Sequence, residues 1–578
     1  MDRFRWIAAP NLRPLTLSSL CLWCCAACTE QAPSSASVVP ESRSTVEILV
    51  TSEAGDRLAV KENVALRAGP APEEAGARIE VFPDREKQTM TGVGSSFTES
   101  SAFVLAHLPP QERAVVMREV YGEDGADLSI ARTVIASTDF SVEGRYTYAP
   151  VADDAALEHF SIEVDSDGFA REQYPGIADE TFDLLPMIQE ALAIKRNQSD
   201  PTLSIVASAW SAPPWMKDIE DYYVRPTEAN GYQGTGGVLK PQYEATYADY
   251  LLRYLDSYRE QGVEIWGMTP VNEPNGNSGQ WESMHFTPQS QGEFIKQHLG
   301  PKLQEGGYEQ LKLLIYDQNR DDLPRWTKAI LGDPEAARYV YGTGVHWYGS
   351  TTQVFEEALV EAHEQFPAFD IIHTEGTIDD LGKPAPGGIG DPEGFQESGW
   401  FGNDDFWWNP NATDWAYTAS WAPAPELHPV YTPVHRYARN IIVSFNNWMS
   451  GWIDWNIVLD SNGGPNHVGN FCGAPIMIDT ETDEVYYTPI FHVLKQLSRT
   501  IRPGDRALQA TTVLADGMGE DALHASATRN AEGLISVQLL NTTKAPIDYS
   551  LQVGEEHAAI TIPANALQTV RLSLGAAR

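Results

Sequence analysis

Apolar residues in this chain gather into short unbroken runs. Eight of them, rich in β-branched and aromatic residues and bounded by turn or polar residues, span 89–97, 126–135, 203–210, 265–271, 311–316, 341–348, 369–374 and 449–456. Helix-like segments lie between most of them, as at 242–259, 288–303 and 433–447. Runs that lack a period of two and are separated by helices predict parallel strands buried on both faces. Eight of them predict an α/β fold, a (β/α)₈ barrel over 88–500, whose chemistry sits at the carboxyl ends of the strands. Those ends carry Arg132, Trp210, Asn272, Glu273, Asp317, His346, Tyr348, Glu375, Trp455 and Asn456.

The flanks follow a different period. Ile535, Val537 and Leu539 alternate with polar neighbours, as do Tyr549, Leu551 and Val553, and then Val570, Leu572 and Leu574. Alternation between turn residues predicts antiparallel strands with one buried face. The flank 501–578 is too short for a barrel and suits a small β-sandwich. Residues 46–87, with Val46, Val50, Leu66, Ile79 and Val81, are expected to add strands to that same sandwich, which would then be built from both chain ends.

Two strand ends stand out chemically. The run 265–271 delivers Asn272-Glu273-Pro274, and the run 369–374 delivers Glu375-Gly376. A carboxylate at the end of a buried strand is costly unless it faces a cavity and works there. Taken singly, Glu273 could cap a helix and Glu375 could lie on the surface before a turn. Taken together, they supply what hydrolysis of a glycosidic bond needs: one acid to push off the leaving oxygen, one carboxylate to attack the anomeric carbon.

Composition narrows the partners. With 80 acidic residues against 40 Lys and Arg, the net charge of −40 repels phosphate backbones and anionic lipid, so nucleic acid is not expected as a partner. Four of the five cysteines fall in 1–28, where Arg3, Arg5 and Arg13 precede an apolar stretch and Ala26-Ala27-Cys28. This reads as an export signal of lipoprotein type, with Cys25 where Leu is usual, lipidation at Cys28, and 29–45 as a tether. A cell-surface or periplasmic lipoprotein follows, otherwise a secreted protein; its only membrane contact would be that anchor. Cys472 is then the one other mature thiol, so no disulfide framework is expected. Zinc, phosphate-loop and dinucleotide motifs are missing, so no cofactor and no metal are called for. Residues 163–174 fail as a calcium loop because position twelve is Tyr174, and they read as a polar turn. Gly92-Val93-Gly94-Ser95-Ser96 reads as a tight turn ending the first strand. Nothing in the sequence speaks to oligomeric state.

Several stretches resemble glycoside hydrolase family 30, in order and with compatible spacing over about 85–500. They are Gly92-Val93-Gly94 with Phe97-Thr98-Glu99-Ser100, Leu128 to Arg132 with Ser137 to Ser141, and Ser208 to Lys217. Thr269 to Pro274, Val345 to Tyr348, His373 to Gly376, Gly451 to Asn456, Gly463 to Asn466 and Asn470-Phe471 continue the match. Within that family they resemble the glucosylceramidase branch. That resemblance implies a barrel with an attached β-sandwich and a retaining enzyme acting on a β-glucoside, either a glucosylated lipid or a β-glucan. It implies Glu273 as acid/base, Glu375 as nucleophile, and Arg132 and Tyr348 as the groups that hold the nucleophile ionised. Asn272 would contact the sugar 2-hydroxyl, His346 would lie near both carboxylates, and Asp139, Trp210, Trp455 and Asn470 would bind glucose. A β-1,6-glucanase, or another β-glucosidase or β-xylosidase of the family, is the alternative. A surface glycan-binding protein without activity is the alternative of another class, disfavoured because Glu273, Glu375 and Asn272 are all present.

The chain departs from the family pattern in one place. Its long segment 377–432 carries Trp400, Phe401, Phe406, Trp407, Trp408, Trp415, Tyr417 and Trp421 among acidic residues. Long loops at the catalytic face of a barrel are usually functional. This one reads as platforms for further sugar rings, as a self-packed lid, or as a patch for a second subunit.

Overall fold

The computed structural model describes residues 45–71, 76–350, 353–379 and 433–574. The export segment with Cys28, and residues 380–432 of the aromatic insert, lie outside the described residues.

Each of the eight apolar runs contributes one strand of a closed parallel barrel. In chain order the strands are Gly92–Phe97, Ile130–Ile135, Ser204–Ala209, Gly267–Thr269, Lys312–Asn319, Gly342–His346, Asp370–Glu375 and Met449–Asn456, the last pairing with the first. They are buried along nearly their whole length, which is why no alternation marks them in the sequence.

Alternation reappears inside the barrel. Side chains two apart on a strand share a face. Ile130, Val206, Leu314, Ile372 and Ile453 form a separate aliphatic cluster. Two positions further along their strands come Arg132, Ser208, Thr374 and Trp455. The interior therefore has an aliphatic floor and a polar upper layer, and the upper layer is where the strands end.

One local expectation needs correction and two gain detail. Gly92-Val93-Gly94-Ser95-Ser96 is not a turn but the first barrel strand itself. Its glycine is there for close approach: a Cβ on Gly94 would lie 1.5 Å from the carbonyl oxygen of Ile130. The helix expected at 288–303 is present over 288–305, with a wide π segment, Ile295–Leu299, between Pro288–Phe294 and Gly300–Glu305. Pro301 has no N–H to give to the carbonyl of Gln297, so the regular ladder cannot run through it. The polar turn foreseen after residue 163 is a short 3₁₀ turn, Glu163–Asp165, whose Asp165 is buried and accepts from the Tyr148 and Tyr258 hydroxyls at 2.7 and 2.6 Å.

Strands from both chain ends form one ten-stranded sheet. Thr45–Ser52 pairs antiparallel with Ala566–Ser573, and Ala77–Thr89 lies between Arg506–Val513 and Ile547–Val553. The alternating residues Val46, Ile79, Val81, Ile535, Val537, Leu539, Tyr549, Leu551, Val553, Val570 and Leu572 share one apolar core. Leu540 and Leu567 belong instead to the barrel's core, and Gln496 accepts from Thr51 Oγ1 at 2.7 Å, so the two parts are packed together.

Gly94→Ala should destabilise the barrel by roughly 3 kcal/mol or more, since neither facing backbone can retreat. Urea unfolding of the variant against the parent checks this; a difference under about 1 kcal/mol would contradict the strand packing described.

Candidate active site

The site is organised around Arg132, which is 0% exposed. Its Nε donates to Ser208 Oγ at 3.0 Å, and one Nη2 serves both Asn272 Oδ1 at 2.7 Å and Asp317 Oδ2 at 2.8 Å. Nη1 donates to Glu375 Oε2. Trp210 covers the guanidinium face, with its ring centre 4.7 Å from the carbon.

Asp317 closes a second ring of contacts. Besides Arg132, its oxygens take Thr269 Oγ1 at 2.7 Å, Thr374 Oγ1 at 2.6 Å and His346 Nε2 at 3.0 Å. Burial alone would raise its pKa, but Arg132 and His346 hold it well below the usual carboxylate range. The other ring nitrogen of His346 faces Glu273 Oε1 at 3.3 Å. A histidine with a carboxylate on each nitrogen must donate from both, which makes it an imidazolium. Burial opposes that charge, yet Glu375, Asp317 and Glu273 raise it to about 9.

The two glutamates reach the site by different routes. Glu375 is the last residue of its strand. Glu273 lies beyond its strand in a left-handed conformation, φ 48°, with its N–H on the carbonyl of Asp317 at 3.0 Å. Tyr348 donates its hydroxyl to Glu375 Oε1 at 3.0 Å. A carboxylate oxygen from each glutamate and a His346 nitrogen all lie within 4.8 Å of one another. Burial and the charge of Glu273 push Glu375 upward; the cations His346 and Arg132 pull against that shift without cancelling it.

A cavity of about 300 Å³ opens over these groups. Trp210 and Trp455 stack at 5.0 Å to form one wall, and Asn470 donates to Asp139 Oδ2 at 2.8 Å on another. Burial, helped by the charge on Glu375, pushes Asp139 up to about 7 against that hydrogen bond. Because the Asn272 oxygen is taken by Arg132, its amide N–H groups are left for the cavity.

Sequence comparison agrees with this geometry. The profile described as "Glycosyl hydrolase family 30 TIM-barrel domain" matches residues 90–384 and 429–501, and "Glycosyl hydrolase family 30 beta sandwich domain" matches 510–570. The chain belongs to glycoside hydrolase family 30. Lysosomal acid glucosylceramidase of Mus musculus is 29% identical over 438 residues, 75% of this chain and 72% of that protein. An endo-1,6-beta-D-glucanase of Neurospora crassa is 23% identical over 461 residues, 79% of each. Among solved structures, SrfJ from Salmonella typhimurium superposes with a TM-score of 0.73 at 22% identity, covering 92% of this chain and all of that one, a likeness of fold.

Within this family 30 site, Asp139, Trp210, Asn272, Glu273, Tyr348, Glu375, Trp455 and Asn470 line the one cavity, while Arg132 and His346 lie beneath it and bond to its carboxylates. Sequence reasoning noted Asp317 only as a polar strand end, yet it holds both cations. The one signal in the sequence was its place, an acid directly after the apolar run 311–316. Glu273, His346 and Glu375 have the composition of a metal cluster. They do not suit one, because an imidazolium has no lone pair to give and Glu375 is already on a guanidinium.

Asp317→Asn removes the partner of two buried cations and should cost about 3 to 5 kcal/mol. His346 stands at about 9 in the fold against an ordinary 6.5, so its stabilisation is complete below pH 6.5 and fades as pH rises through about 9. In the variant, unfolding measured across pH should show a weaker alkaline loss, and the His346 imidazole resonance should titrate lower. An unchanged His346 titration would contradict the network.

Proposed function

We propose that this protein is a retaining β-D-glucosidase of glucosylceramidase type, working by double displacement. The observation that carries the reading is the separation of the two carboxylates. Retaining enzymes hold their pair about 5–5.5 Å apart and inverting ones about 6.5–9.5 Å, leaving room for a water. Oxygens within 4.8 Å support the closer arrangement.

In this reading Glu375 attacks the anomeric carbon while Glu273 gives its proton to the leaving oxygen, producing a glycosyl ester on Glu375. Glu273 then takes a proton from water, which attacks the same carbon and releases glucose with its configuration kept. Arg132 and Tyr348 orient and charge-balance the nucleophile. The amide of Asn272 meets the 2-hydroxyl, a contact that strengthens as positive charge grows on the ring. Asp139 and Asn470 fix the far hydroxyls, and Trp455 offers its face to the C–H groups.

The glucosylceramidase likeness of the mouse relative supports a glucosylated lipid as substrate. One feature favours a second reading, a β-1,6-glucan. The cavity rim carries the amides Asn277, Gln280, Gln318 and Asn319 beside Trp281, a lining better suited to hydroxylated rings than to alkyl chains. Faster release of glucose from β-1,6-glucan than from glucosylceramide would decide for it. Export as a lipoprotein through Cys28 remains part of the proposal: the native chain should partition with membranes, and Cys28→Ala should move it to the soluble fraction with its activity intact. Full-length protein found only in the soluble fraction would contradict the anchor.

The roles of the two glutamates are separable. Glu273→Ala should retain turnover of aryl β-glucosides with good leaving groups while losing about 10²- to 10⁴-fold on poor ones. Azide should rescue it and give the β-glycosyl azide. Glu375→Ala should be inactive, and any azide rescue should give the α anomer. Reversed or identical anomers would refute the assignment.

A further inference from the structure

Three loops on the carboxyl face of the barrel meet at His467. Its Nδ1 lies 3.1 Å from the carbonyl oxygen of Ser141, in the loop that carries Asp139. Its Nε2 lies 3.2 Å from Glu282 Oε1, next to Trp281, which lines the cavity. His467 itself is three residues before Asn470, whose amide holds Asp139. None of these contacts belongs to the reacting carboxylates.

The partners dictate the state of the ring. A carbonyl oxygen only accepts, so Nδ1 must carry a proton. Glu282 is 0% exposed, and neither of its oxygens has a well-aligned hydrogen bond, the His467 contact included. A bare nitrogen lone pair set against that buried carboxylate would be repulsive, so a proton lies between them; it sits on the imidazole, the more basic of the two groups, and the contact is an ion pair. Among the described residues, Lys217 is a further cation that feels Glu282. Its Nζ is already taken up by Ser211 Oγ and the carbonyls of Tyr222, Gly236 and Ser283, at 2.7 to 2.9 Å. Lys217 thus pins the backbone beside Glu282 and leaves the charge of Glu282 to His467.

We propose that His467, as an imidazolium, is a positioning residue that ties the Asp139, Trp281 and Asn470 loops together and thereby sets affinity for the sugar. The latch opens when the ring loses a proton, because Glu282 is then a buried charge without a counterion. Burial works against protonation of His467, but Glu282, the Ser141 carbonyl and Asp139 outweigh it, and the net shift is above the ordinary 6.5. Asp139 gains its charge near pH 7 and so supports the cation in the range where it would begin to fail. Sugar affinity should therefore be full in acid and weaken as pH rises through the value for His467. The link to sugar affinity rests on the glucosidase reading; the protonation state of the ring does not.

The test uses the full chain and the variants His467→Gln and Glu282→Gln. KM and kcat for an aryl β-glucoside, and the inhibition constant of glucose, are measured from about pH 5 to about pH 9, the range in which histidine switches. His467→Gln should raise KM and the glucose constant roughly tenfold in acid, the worth of one well-placed polar contact. It should leave kcat nearly unchanged and abolish the alkaline weakening. In Glu282→Gln the weakening should begin at lower pH, since the ring has lost the carboxylate that raises it. The His467 imidazole resonance, assigned by its disappearance in His467→Gln, should titrate above 6.5 in the parent and lower in Glu282→Gln. An active parent whose glucose affinity is the same in His467→Gln overturns the latch, as does a parent resonance titrating at or below 6.5. If His467→Gln does not fold, an unshifted affinity profile in Glu282→Gln overturns it equally. A parent that hydrolyses no β-glucoside overturns the proposed function instead.

Discussion

A guanidinium removed entirely from water needs an acceptor for nearly every N–H, and Arg132 finds them on four different parts of the barrel. Ser208 comes from the third strand, Asn272 from beyond the fourth, Asp317 from the fifth and Glu375 from the seventh. Removing any one would leave a buried charge underpaired, at a cost of several kcal/mol. The barrel's closure and the placement of these side chains are therefore the same problem. A register slip of one residue in any of these strands would turn an acceptor outward.

Charge counting extends the point to chemistry. Arg132 and His346 are cations; Asp317, Glu375 and Glu273 are the carboxyl groups in contact with them. Two cations balance two carboxylates, so a low-dielectric site reaches neutrality when one of the three holds a proton. Asp317 has four donors around it and Glu375 has a guanidinium and a phenol. Glu273 has His346 beside it. The two glutamates thus differ in their surroundings and not in their own chemistry.

Much of this was legible in the sequence, for physical reasons that also mark the limits. Strands buried on both faces must be apolar throughout, so eight runs announced a barrel; strands with one wet face must alternate, so the flanks announced a separate sheet. The run 89–97 was legible as a strand, but its Gly92–Ser96 part also read as a turn because glycine usually marks one, whereas here the missing side chain lets two backbones touch. The part played by Asp317 was hidden because Tyr316 and Asp317 take left-handed conformations, φ 73° and 65°, which shift the inward-facing position by one. Glu273 uses the same device beyond its strand. The Glu282–His467 pair joins loops far apart in the chain, and no local pattern foretells it.

The aliphatic layer beneath the site gives these local arrangements their force. Ile130, Val206, Leu314, Ile372 and Ile453 fill the barrel below Arg132 and are fully buried. Their exclusion of water keeps the effective dielectric low directly under the charges, which strengthens each ion pair and penalises each unpaired group. Ile130, Val206 and Ile372 sit two positions before Arg132, Ser208 and Thr374, so strand periodicity sets the depth at which the interior changes from aliphatic to polar there, and the left-handed pair Tyr316-Asp317 adjusts it on the fifth strand. A polar substitution in that floor would act on the site without touching it, by admitting water beneath Arg132 and weakening the contacts that hold Glu375 and Asp317 in place.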